Sequence, residues 1–161
     1  MKPFVAIIGR EKSGKSTLIR SLTGCRTRSF CGVVTDLVSN QKIYAIASSP
    51  QEQDLSSDEL DRILNQVWDD ASILGIVMAI QPTRPRKHLS MEDIFQKVQA
   101  TRAFSTFGVI IHPSYNADSP AIDPDDVRRR LEALEVEFRT INGRHFAHLN
   151  ACEVRKLAGL P

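Results

Sequence analysis

Nine residues near the start of the chain, Gly9-Arg10-Glu11-Lys12-Ser13-Gly14-Lys15-Ser16-Thr17, contain the pattern G-x-x-x-x-G-K-S and constrain the fold more than any other stretch. A motif of this kind works only where a strand runs into a helix, and both flanks meet that condition. Phe4-Val5-Ala6-Ile7-Ile8 is an apolar run of the sort that forms a strand buried on both faces. Leu18, Ile19 and Leu22 then recur at helical spacing, and Gly24 supplies a stop. The residue types dictate the chemistry. Gly9 and Gly14 let the backbone curl so that successive N–H groups point inward, an anion nest at a helix N-terminus. Lys12, Ser13 and Thr17 belong to the same cradle. Lys15 would reach the β- and γ-phosphates of a nucleotide, and the Ser16 hydroxyl would join the coordination of Mg²⁺. The expected ligand is a nucleoside triphosphate, ATP or GTP, with Mg²⁺.

Beyond the motif, strand and helix signals alternate. Val33 to Val38 and Ile43 to Ala47 are two short β-rich runs joined by Ser39-Asn40-Gln41-Lys42, which predicts an antiparallel hairpin. Ser56 or Ser57 can cap a helix whose Leu60, Ile63, Leu64, Val67 and Trp68 share one face. Ile73 to Ile80 has the length and composition of a central parallel strand. Ser90 with Asp93 opens a helix carrying Met91, Ile94, Phe95 and Val98. Phe107 to Ile111 predicts another buried strand, and Asp123-Pro124-Asp125-Asp126 a capped helix start with an N1 proline. Val136 to Ile141 predicts a last strand. After it, Asn142-Gly143 signals a two-residue hairpin, whereas Phe146, Leu149, Val154 and Leu157 fit a C-terminal helix; both readings stand. This order predicts a three-layer, doubly wound α/β sandwich with a mainly parallel sheet, the second and third strands forming the antiparallel pair.

With 161 residues the chain is expected to be one domain spanning residues 1–161. A net charge of +2, from 21 basic and 19 acidic residues, gives no reason to expect nucleic acid as the main ligand. Cys25, Cys31 and Cys152 have no metal-ligand spacing and read as reduced thiols. No apolar stretch approaches the roughly 18 residues of a membrane span. Nor does the start carry a basic leader or an apolar signal core. A cytoplasmic location is the expectation.

The layout resembles the P-loop NTPases, and among them the Ras-like and translation-factor-related GTPases, over most of the chain. The resemblance implies a Mg²⁺-binding threonine in a first switch, and Thr35 stands 20 residues after Lys15. It can also be a plain β-branched strand residue. The third family motif, D-x-x-G, often followed by Gln-Glu, corresponds to Ala47-Ser48-Ser49-Pro50-Gln51-Glu52. Gln51 falls where the resemblance puts a water-positioning glutamine, although a solvated loop residue is the competing reading. Ala47 replaces the metal-associated aspartate. Pro50 replaces the glycine whose N–H would sense the γ-phosphate, and proline has no N–H to give. The guanine-reading N-K-x-D becomes His112-Pro113-Ser114-Tyr115, and Asn142-Gly143-Arg144 is a loose counterpart of the final S-A-K.

Other residues compete for a role. Thr83-Arg84-Pro85-Arg86-Lys87-His88 is a basic loop beyond a parallel strand, where Arg84 or Arg86 could clamp a phosphate or a phosphorylated substrate. Arg26 and Arg28 could approach the nucleotide. Arg128-Arg129-Arg130 reads as a solvated helix face. These features lead to a slow or partner-activated NTPase with an assembly or signalling role, its protein partner unspecified, with Lys15, Gln51 and Arg84 as catalytic candidates and Ser16 and Thr35 as metal ligands. A nucleotide or small-metabolite kinase with Asp36 serving the acceptor is one rival. A non-catalytic module stabilised by bound nucleotide is the other.

Overall fold

The computed structural model describes residues 1–35, 39–83, 87–118 and 122–160. Along them run β1 (Lys2–Ile8), α1 (Lys15–Thr23), β2 (Cys31–Thr35), β3 (Lys42–Ile46), α2 (Pro50–Gln53) and α3 (Ser57–Asp69). Then follow β4 (Ile73–Ile80), α4 (Met91–Ala100), β5 (Phe104–Ile111), α5 (Pro124–Ala133), β6 (Glu137–Ile141) and α6 (Ala147–Ala158). The strands form one sheet in the order β2-β3-β4-β1-β5-β6, parallel throughout except for the antiparallel β2–β3 pair.

The three most apolar runs become β4, β1 and β5 and lie side by side in the middle, because only there are both faces covered. The pleat divides their side chains between two cores. Phe4, Ala6 and Ile8 of β1 join Leu60, Ile63, Leu64, Ile94, Phe95 and Leu131 on the face covered by α3, α4 and α5. Val5 and Ile7 join Leu18, Ile19, Leu22, Ala151 and Val154 under α1 and α6. Phe4 meets Phe95 edge-on, ring centroids 6.1 Å apart. The molecule is therefore a three-layer α/β sandwich.

The helix starts follow their caps. Ser56 Oγ accepts from Glu59 N, while Ser56 N and Oγ donate to Glu59; Ser90 and Asp93 reproduce the pattern at α4. Asp123 caps α5 with Pro124 at its first position.

Three expectations need correcting, and one element has no counterpart among them. Trp68 does not share the buried face of α3: it lies 53% exposed, near the helix end where Lys2 Nζ reaches the carbonyls of Val67, Trp68 and Asp70. The short helix α2 follows no signal read from the sequence. The Asn142-Gly143 hairpin does not form. β6 pairs parallel to β5, so its sequel must leave the sheet, and it does so as the helix α6. The three consecutive arginines are not equivalent either. Arg130 is only 11% exposed, gripping both carboxylate oxygens of Glu92 at 2.5 and 2.9 Å and donating to Pro82 O at 2.6 Å.

Candidate functional site

At the C-terminal end of β1 the chain turns through the loop into α1. Gly9 N donates to Ile80 O at 3.1 Å, anchoring the loop between β1 and β4. Its glycine is required by close approach: a Cβ at residue 9 would lie 2.3 Å from Ser13 Oγ. Lys12 (φ 59°) and Gly14 (φ 101°) both adopt left-handed backbone. Such reversals within four residues turn backbone N–H groups towards a common centre, the geometry of an anion nest. Gly14 is the N-cap of α1, and no side chain caps the helix there. The open N–H groups of the first turn are thus left for an external acceptor.

The loop forms one wall of a cleft of about 830 Å³ lined by Glu11 to Thr17. Arg28, Ser29, Ser48 and Glu52 line a second wall, and Tyr115, Asn116 and Ala117 a third. Lys15 is buried, and its Nζ donates to Arg10 O at 2.6 Å. Burial lowers its pKa to about 8, against an opposing pull from Glu52 and Glu11. Ser16 Oγ donates to Ala47 O at 2.8 Å. Ser13 is 1% exposed, and its Oγ has no hydrogen-bond partner among the described residues. An orphaned buried hydroxyl costs about 1–3 kcal/mol, a cost that a ligand oxygen would relieve.

The third wall is seated by backbone contacts. Tyr115 N donates to Ser13 O at 3.0 Å, Gly143 N to Pro113 O at 2.9 Å, and His112 N to Ile141 O at 2.9 Å. The loops after β5 and β6 therefore dock on each other and on the phosphate loop. Tyr115, 63% exposed, lies against Gly14.

The other expected residues divide. Gly9 belongs to the loop, and Lys12, Ser13, Gly14, Lys15, Ser16 and Thr17 line the cleft. Thr35 is a correction: it pairs with Lys42 at the start of β3, whereas the cleft opens where β3 ends. The antiparallel turn carries the strand away from the loop, so Thr35 lies at the opposite end of the sheet from the metal position expected for it. Gln51 is also a correction. Its Nε2 donates to Leu89 O at 3.2 Å and its Oε1 is buried, so the side chain is turned towards the start of α4 and not into the cleft. Its neighbour Glu52 is the cleft residue. Arg84, Arg86 and Asp36 fall outside the described residues. Arg26 does not line the cleft; Arg28 does. Among the described residues, no group of three or more His, Cys, Asp or Glu could hold a metal by itself.

Mg²⁺ is ordinarily held by one or two carboxylates together with phosphate oxygens and waters. The hydroxyl of Ser16 and the carboxylate of Glu52, both in the cleft, suit a Mg²⁺ that arrives with a nucleotide. One Glu52 oxygen is committed to Ser49 N and Oγ at 2.8 and 3.0 Å.

No family model and no curated protein matches the sequence. Among solved structures, a de novo designed protein of P-loop NTPase fold, determined by solution NMR, superposes with a TM-score of 0.52 at 11% identity, covering 98% of this chain and 92% of that one. The chain has the P-loop NTPase fold. The FeoB G-domain from Methanococcus jannaschii is also similar, at 16% identity and a TM-score of 0.44, over 98% of each chain. No helix among the described residues of this P-loop chain is long and apolar enough to cross a membrane.

Proposed function

We propose that this protein binds a nucleoside triphosphate with Mg²⁺ and hydrolyses it slowly or only when a protein partner completes the site, in an assembly or signalling role. The observation that carries the reading is the loop from Gly9 to Thr17, which presents its nest, its buried lysine and the uncapped start of α1 to one cleft. Lys15 would leave Arg10 O for the phosphates, and Ser16 would turn its hydroxyl from Ala47 O to the metal. Mg²⁺, when bound, neutralises charge on the terminal phosphates. Slow turnover is supported by what surrounds that cradle. Ala47 brings no carboxylate, Pro50 no N–H, and Gln51 is engaged with Leu89. With those three positions not serving the cleft, positioning of the attacking water is the part an incoming partner would supply.

The same three residues favour one second reading, a module that retains nucleotide as a structural element without hydrolysing it. Identifying the nucleotide that co-purifies, with and without Mg²⁺, tests the binding claim. Single-turnover phosphate release then separates the two readings. Release within hours supports slow hydrolysis, and an intact triphosphate after days supports retention. A folded Lys15→Ala protein with unchanged triphosphate affinity would remove the basis of both.

A further inference from the structure

The segment from Arg28 to Phe30 is bound to the end of β3 and to α2 by three hydrogen bonds, each accepted by a main-chain carbonyl. Ser48 Oγ donates to Arg28 O at 2.8 Å, Gln53 Nε2 to Ser29 O at 2.9 Å, and Ala47 N to Phe30 O at 2.8 Å. The adjoining carbonyl of Ala47 accepts the Ser16 hydroxyl at 2.8 Å. One network therefore joins the phosphate loop, the end of β3, α2 and the Arg28 segment. Arg28 itself lines the cleft, beside Ser29, Ser48 and Glu52.

Its position along a bound nucleotide follows from Ser16. In a loop of this sequence the hydroxyl after the lysine belongs to the metal and terminal-phosphate end. Arg28 shares the network of that hydroxyl, whereas Tyr115, Asn116 and Ala117 occupy the wall nearer Gly14. Charge points the same way. The cations lining the cleft are Lys12, Lys15 and Arg28, and its carboxylates are Glu11 and Glu52. A triphosphate brings about one negative charge more than a diphosphate, located at the far end. No aspartate at residue 47 holds a metal against that charge.

We infer that Arg28 is the terminal-phosphate clamp of this site, a cleft-lining arginine whose main chain is held by Ser48 and whose neighbour Ser29 is held by Gln53, and that it makes the cleft select nucleoside triphosphates over diphosphates. The inference rests on the nucleotide-binding reading above. The fork of an arginine can donate two parallel hydrogen bonds to a phosphate, which a lysine cannot match. Because the segment is already bonded to α2, selection needs no ordering of a loop by the ligand.

The test measures the affinities of the intact protein for ATP, ADP, GTP and GDP by calorimetry, in Mg²⁺ and in EDTA. Arg28→Ala should weaken triphosphate binding by about tenfold to a hundredfold, the value of a lost charge-assisted contact, and change diphosphate binding by less than about threefold. The selective loss should persist in EDTA, and Arg28→Lys should recover part of it. Ser48→Ala, which frees the Arg28 carbonyl, should reduce triphosphate preference by a smaller factor. Equal weakening of both nucleotide classes by Arg28→Ala, or none, overturns the clamp while leaving nucleotide binding intact. Wild-type protein that binds none of the four overturns the nucleotide reading and the clamp together.

Discussion

Lys15 concentrates the chemistry of the site in one side chain. Its pKa falls from 10.5 to about 8, chiefly through burial, so the folded protein holds this proton less tightly than the unfolded chain. Between those values the unfolded state carries more protons, and the lysine's contribution to stability rises with pH across that window. Binding runs in the opposite direction. A triphosphate needs the charged ammonium, so affinity should fall as pH rises past 8, measured by calorimetric titration from about pH 7 to 9.5. A wild-type affinity flat over that range would count against the lysine as a phosphate contact. Gly143 makes a second prediction at this scale. A Cβ there would lie 2.5 Å from Ile111 Cγ2, 2.7 Å from Pro113 O and 2.9 Å from Tyr115 N. Gly143→Ala should cost about 1–3 kcal/mol by overpacking. It should also weaken nucleotide binding, since the loop it displaces is the one seated on Ser13 O. Thermal unfolding and a binding titration read the two effects, and a mutant stable and tight-binding as wild type would show that the seat tolerates movement.

Among elements, α5 shows where charge patterning stops being informative. Arg128, Arg129 and Arg130 are adjacent in sequence and of one type, so spacing alone gives them one description. The helix separates them. Arg129 is 72% exposed with Asp126 at 3.8 Å, while Arg130 joins α5 to Glu92 on α4 and to the end of β4 through Pro82 O. Arg130→Met should lower stability by about 1.5–3 kcal/mol, and Arg129→Met should stay within about 0.5 kcal/mol. Denaturant titration of the two variants decides it; equal effects would mean that the Glu92 grip contributes nothing net. The phosphate loop, the caps at Ser56, Ser90 and Asp123, and the buried strands were legible because each depends on neighbours a few residues away. The metal role for Thr35 and the water-positioning role for Gln51 do not hold, because both depend on where the chain goes next; for Thr35 the plain strand reading is the one that does. A hairpin turned one away from the loop, and a four-residue helix pointed the other at Leu89. Arg28 could be named only as one of two arginines after α1. The partners that hold its segment, Ser48 and Gln53, come from residues far along the chain.

For the whole molecule, the order of strands explains why the cleft has three walls. The loops that end β1, β3 and β5 leave the same edge of the sheet, as parallel strands require. Base recognition belongs to this scale. The β5 loop presents Tyr115 and Asn116 with no carboxylate at the expected interval, and Asp118 is an exposed turn residue whose N–H is taken by Asn116. ATP and GTP should therefore bind within about tenfold of one another, or about 1.4 kcal/mol, by competition. A larger preference for GTP would mean that another group reads guanine.

The covering of α1 has an implication for how the protein is made. Arg155 of α6 donates to Leu22 O at 3.1 and 2.6 Å, and Ala151 and Val154 close the core over Leu18, Ile19 and Leu22. A ribosome delivers the phosphate loop well before α6, and the helix behind the loop stays uncovered on one side until α6 has been synthesised. The phosphate loop thus waits for α6 before it can be held in shape, and a nascent chain should gain its grip on nucleotide only once α6 has emerged.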